Sequence, residues 1–113
     1  MAKALGEFEQ LILYALLSLG ADADGASIRC EIVSRTGREV SAGAVYTVLQ
    51  RLEAARLITS SVDEPQAERG GRRRKCYMLR PSGALLLQVS RDRMAKLSAG
   101  LESSPASLAT WAE

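Results

Sequence analysis

The 113-residue sequence contains no histidine. That removes Ser-His-Asp and Cys-His triads, His-ligated zinc and the commonest general base. The two cysteines, Cys30 and Cys76, lie far apart, and neither belongs to a Cys-x-x-Cys pair. They read as reduced, buried small hydrophobes in a cytoplasmic protein. Cys76, beside Arg74 and Lys75, is the one candidate for a redox-sensing thiol. Aromatics make up only 4% of the chain, so its core must be built from Leu, Ile, Val and Ala. The longest apolar run, Leu11 to Leu19, is too short to cross a bilayer and follows no basic leader segment. With no clustered carboxylates and no nucleophile beside a base, neither an enzyme nor a bound cofactor or metal is expected.

What is present is an ordinary globular composition, 47% hydrophobic and 25% charged, sized for one compact domain. The net charge of +2 hides an uneven distribution. Residues 1–68 carry 6 basic and 10 acidic groups, and residues 81–113 carry 3 of each. Between them, Arg69, Arg72, Arg73, Arg74, Lys75 and Arg80 occupy twelve residues without one acid. All the net positive charge sits there.

Hydrophobic periodicity predicts a largely helical chain with one small β-hairpin. Leu5 to Leu19 carries apolar side chains at three-four spacing, and Leu13 and Leu17 widen the stripe beyond one core face. Residues 20–25 form a polar turn, and a second helix follows from Ala26 to Arg35, closed by Gly37. Ser41 stands at an N-cap position before a third helix, Ala42 to Ala55. There Val45, Val48, Leu49 and Leu52 face inward, while Gly43, Thr47 and Gln50 face outward. Leu57 to Val62 and Arg72 to Leu79 read as strands around a Gly70-Gly71 turn. Pro81-Ser82-Gly83 breaks the hairpin, and a last helix runs from Ala84 to Leu101. Ser104 and Pro105 suggest a further cap beyond it.

Two short helices joined by a turn, the second with a small polar outer face, form a helix-turn-helix. A helix of that width fits the B-DNA major groove. Gly43 and Ala44 would allow close approach, and Thr47, Gln50 and Arg51 offer donors and acceptors to bases or phosphates. The basic hairpin supplies sequence-independent affinity through counterion release. The bland readings are a solvated basic turn and an exposed helix face.

The residues also carry a resemblance. Gly43-Ala44-Val45-Tyr46-Thr47-Val48-Leu49-Gln50-Arg51-Leu52-Glu53, continuing into Ala55-Arg56-Leu57-Ile58, resembles the GxxYxxLxRLExxGLI signature of PadR-like winged-helix transcriptional regulators. Gly71 to Gly83 (GRRRKCYMLRPSG) is similar to that family's GRxRKYYxLTxxG wing, and Leu5-Gly6 with Leu11, Leu16 and Leu17 is similar to its first helix. The likeness covers most of residues 5–83. Arg56 stands where the family has glycine, Cys76 replaces the first wing tyrosine, and Arg80 replaces threonine, leaving Ser82 to cap the last helix. The resemblance implies a repressor that dimerises through its terminal helices, with a hydrophobic, flat aromatic effector at the dimer interface in several members.

The expected architecture is therefore a winged helix-turn-helix over residues 1–81 and a dimerisation helix and tail over residues 82–113. Expected DNA contacts are Ser41, Gly43, Ala44, Tyr46, Thr47, Gln50, Arg51, Arg69, Arg72, Arg73, Arg74 and Lys75. Tyr46 has two readings, ring against the neighbouring helix or hydroxyl toward a phosphate. Glu53 is expected to pair with Arg56, and Tyr77 to pack against the third helix. The expected homodimer seam is Leu13, Leu17, Leu87, Met94, Leu97, Leu101 and Trp111. The last helix could instead complete the monomer core, and Trp111 could plug the subunit boundary or stack on an effector. The partner is double-stranded DNA, read as a palindrome. The alternative is a winged helix that uses the same surfaces for protein contacts.

Overall fold

Ile12, Leu13, Ala15 and Leu16 place four buried side chains along one side of α1 (Glu7–Leu19), which forms the spine of the fold. The computed structural model describes residues 4–63 and 73–101. Glu9 reaches back to accept the Gly6 amide at 2.8 Å and so holds the start of α1. A short 3-10 turn, Gly20–Asp22, leads into α2 (Gly25–Thr36). Asp24 caps α2 by accepting the Ser27 amide at 2.8 Å. Gly37 ends it with φ of 73°, the left-handed geometry that a residue with a Cβ adopts only at a cost.

Ser41 is the N-cap of α3 (Ala42–Ala54), as its position in the sequence predicts, and accepts the Ala44 amide at 3.1 Å. Strands β1 (Ile58–Val62) and β2 (Lys75–Leu79) pair antiparallel, Ile58 opposite Leu79 and Val62 opposite Lys75. The segment entering α2 adds a third edge: Tyr77 donates its amide to the Ala23 carbonyl at 2.9 Å, and Asp24 bridges Cys76. The last helix is α4 (Pro81–Ser98). Helix accounts for 66% of the described residues, which bears out a mainly α fold with a β-hairpin.

The core gathers Ile12, Leu13 and Leu16 of α1, Ile28 and Ile32 of α2, and Val45, Val48, Leu49 and Leu52 of α3. Ile58, Tyr77 and Leu87 close it from the hairpin and α4. Each such aliphatic side chain contributes about 1.5–3 kcal/mol of burial. None of the described helices is long and apolar enough to cross a membrane.

Several expectations are corrected here. Pro81 begins α4 rather than breaking the chain before it, because the first helical position needs no amide proton. Ser82 does not cap that helix, whose cap Arg80 receives no side-chain bond; Ser82 Oγ instead donates to the Arg56 carbonyl at 2.6 Å. Leu13 is 0% exposed and Leu87 5%, so both belong to the core of this chain rather than to a seam. Leu87 lies where the first turns of α4 rest on the fold. Met94 and Leu97, further along the same stripe, lie beyond those turns and are 69% and 83% exposed. Leu17 and Leu101 are also exposed. Cys30 is exposed, not buried. Arg69, Arg72, Ser104, Pro105 and Trp111 lie outside the described residues.

Candidate nucleic-acid interface

The surface of α3 follows from its sequence. Val45, Val48, Leu49 and Leu52 are drawn into the core, so Ser41, Gly43, Thr47, Gln50 and Arg51 are left exposed, with Ala44 half-buried at the margin. Among the described residues, nothing beyond the backbone of α3 itself lies within 4 Å of where a Cβ on Gly43 would sit. Internal packing therefore gives no reason for a glycine in this helix. Thr47 donates its hydroxyl to the Gly43 carbonyl at 2.9 Å, which leaves its oxygen lone pairs and methyl group facing out. Gln50 adds an amide with both donor and acceptor character, and Arg51 a fork of donors.

Of the two readings of Tyr46, the packing of its ring against the neighbouring helix is met. Its ring lies 3.7 Å from the Cβ position of Gly25 at the start of α2, yet the residue is 49% exposed. Tyr77 beneath it is buried, as expected. Burial, reinforced by the neighbouring Tyr46 and Glu53, pushes the Tyr77 hydroxyl up to about 12.

The root of the wing departs from expectation. Arg73 is exposed, but Arg74 is not directed to solvent. Its Nε donates to Asp24 Oδ2 at 2.9 Å and its Nη2 to the Asp22 carbonyl at 3.1 Å. Its Nη1 stands 3.5 Å from Asp22 Oδ1. Lys75 Nζ lies 3.7 Å from Glu53 Oε1 and 5.6 Å above the Tyr77 ring. Glu53 thus takes Lys75 as its partner, together with the Ser60 hydroxyl, and not Arg56. Arg56 sits at φ of 62°, so the backbone has already left the helix whose three-residue spacing would have joined the two.

Burial works against the charged form of Asp24, but hydrogen bonds from Ser27 and Arg74 outweigh it and hold its carboxyl below the usual range. Burial also pushes the Cys76 thiol up, against the pull of Arg74. That shift runs against the thiolate form that a redox sensor uses. The partnership of Arg74 with Asp22 and Asp24 has no local signature. The carboxylates lie 52 and 50 positions away in the chain, and only the edge pairing of residues 23–24 with β2 brings them together.

Three helices, a two-stranded wing and an exposed third helix beside it define a winged helix-turn-helix protein of the DNA-binding class. The chain belongs to the transcriptional regulator PadR-like family, which matches it over residues 12–89. It is accordingly a DNA-binding transcriptional regulator and not an enzyme. A PadR family transcription regulator from Clostridium difficile superposes with a TM-score of 0.69 at 27% identity, covering 87% of this chain and 100% of that one. A PadR-like transcriptional regulator from Bacillus cereus gives 0.67 at 22% identity, over 86% of this chain and 93% of its own. Bordetella bronchiseptica BpsR, whose DNA binding is regulated by 6-hydroxynicotinic acid, gives 0.62 at 20% identity, over 96% of this chain and 74% of its own. No curated protein sequence matches the chain.

Proposed function

We propose that the protein is a repressor that binds a palindromic operator as a homodimer. In this reading α3 enters the major groove, with Gln50 and Arg51 reaching base edges or phosphates and Gly43 and Ala44 allowing close approach. Ser41, Tyr46 and Thr47 flank that contact. Arg69, Arg72, Arg73 and Lys75 of the wing run along the phosphate backbone. The observation that carries the reading is the open face of α3 over Gly43. A glycine in a helix costs up to about 1 kcal/mol against alanine, and among the described residues no neighbour accounts for the one in the first turn of α3. Close approach of an external backbone accounts for it.

The dimer seam would be formed by Leu17, Met94, Leu97 and Leu101, all exposed in the single chain, joined by Trp111. A groove of about 210 Å³ between α1 and α4, lined by Tyr14, Leu17, Leu79, Leu87, Gln88 and Arg91, adjoins that seam. It offers apolar walls and a cation to a flat aromatic acid. The regulation of BpsR by 6-hydroxynicotinic acid supports an effector of that chemistry.

The test is a mobility-shift titration on the DNA upstream of the protein's own gene, at two salt concentrations and with nonspecific competitor. Salt-sensitive binding that survives competitor is expected. Arg73→Ala should weaken binding to every sequence alike and lower the salt slope of the dimer by about 1.8, the value for one phosphate lost in each subunit. Gln50→Ala should instead change the preference between sequences. If the two variants behave alike, these roles are wrong. Binding that vanishes with competitor would favour a winged helix used for protein contacts.

A further inference from the structure

Arg74 belongs by sequence to the basic wing and by geometry to the helix-turn-helix. Its guanidinium reaches three acceptors on the segment that leads into α2: Asp24 Oδ2 at 2.9 Å, the Asp22 carbonyl at 3.1 Å and Asp22 Oδ1 at 3.5 Å. Its side chain is only 23% exposed. Asp24 is at the same time the cap of α2, through the Ser27 amide. One carboxylate therefore ties the first helix of the DNA-reading pair to the root of the wing. The backbone follows the same seam, through the Tyr77 amide on the Ala23 carbonyl and the bridge between Asp24 and Cys76.

We propose that Arg74 is a positioning residue: it clamps the wing to the cap of α2, so that wing and α3 present one rigid surface, and it neutralises no phosphate. The proposal rests on the reading that α3 and the wing meet the same duplex. Two physical arguments carry it. Swinging Arg74 out to a phosphate would leave the carboxylates of Asp22 and Asp24 without their shared cation, beside an anionic polymer. The site also needs a planar fork that can serve several acceptors at once, which arginine supplies and a lysine ammonium on its flexible stem does not.

That difference makes the experiment selective. Full-length wild type, Arg74→Lys, Asp24→Asn and the double variant are titrated by fluorescence anisotropy. The probe is a labelled mixed-sequence duplex long enough for two half-sites a helical turn apart, followed over a range of salt. Asparagine can still cap α2, and circular dichroism with thermal melting confirms that each variant is folded at the assay temperature. The clamp predicts that both single variants bind about fivefold more weakly, as for other directly coupled pairs. It also predicts that the double variant is no worse than either single one and that the slope of log K against log salt is unchanged. A merely stabilising pair would move the melting temperature and leave the affinity of folded protein alone, which overturns the proposal. A phosphate-contacting Arg74 would overturn it differently: Arg74→Lys keeps its charge and binds like wild type, while Asp24→Asn binds equally or more tightly. Wild-type protein without salt-dependent binding would instead overturn the shared-duplex reading beneath both.

Discussion

Arg56 occupies a place built for a residue without a side chain. Leu57 donates its amide to the Leu52 carbonyl and Arg56 donates its own to that of Glu53, both at 3.0 Å. This is the double closure of a Schellman turn, and it requires the left-handed conformation at the residue between α3 and the strand. Arg56 adopts it at φ of 62°. A residue with a Cβ is strained there by about 1–2 kcal/mol, and the exposed side chain returns no burial. Part of the gain on replacing it is offset by the greater freedom of glycine in the unfolded chain. Arg56→Gly should therefore stabilise the protein by about 1 kcal/mol, read as a higher midpoint in urea unfolding with the slope unchanged. A lower midpoint would mean that the arginine side chain makes a contact stronger than the strain.

At the scale of elements, that same turn receives α4. The Arg80 amide donates to the Leu57 carbonyl at 3.0 Å and Ser82 Oγ to the Arg56 carbonyl at 2.6 Å, so two exposed turn carbonyls are satisfied by the start of the last helix. Gly83 makes the approach feasible. A Cβ there would lie 2.3 Å from the Leu57 carbonyl oxygen and 2.8 Å from Leu79 Cδ1. The first of these is backbone inside the turn and cannot yield without breaking the bond to Arg80. Gly83→Ala should cost about 2 kcal/mol by overpacking, measured as a lowered denaturation midpoint, with α4 shifted away from the hairpin. A neutral result would show that the turn and α4 separate easily.

The order of helices, the hairpin, the caps Ser41 and Gly37 and the outward face of α3 were all legible, because each depends on residues within a few positions of one another. The start of α4 was misplaced because Pro81 reads locally as a breaker and structurally as a first helical residue. The partners of Arg74 and Glu53 were illegible for a different reason. A strand's alternation tells which face a side chain takes, not what another element brings to that face. Asp24 reaches Arg74 across a sequence separation of 50.

For the whole molecule, the decisive feature is one helical stripe with two environments. Leu87 and Met94 are seven residues apart, so they lie nearly in line along α4. Leu87 is 5% exposed inside the fold, whereas Met94 is 69% and Leu97 83% exposed. A stripe that starts in a core and continues as leucine and methionine in the open is what the proposed homodimer requires of α4, its outer half covered by a second copy. Leu97→Asp should then convert a dimer to a monomer in sedimentation equilibrium while leaving the helical signal of the subunit intact. It should also weaken operator binding steeply, since two half-sites would no longer be held together. Leu13→Ala provides the contrast. It removes a fully buried side chain of the subunit's own core, so it should cost about 3 kcal/mol of folding stability without changing the mass of the species that remains folded. If Leu97→Asp stays dimeric and Leu13→Ala dissociates, the subunits meet through α1 rather than through the outer half of α4. The operator half-sites would then be spaced by a different geometry.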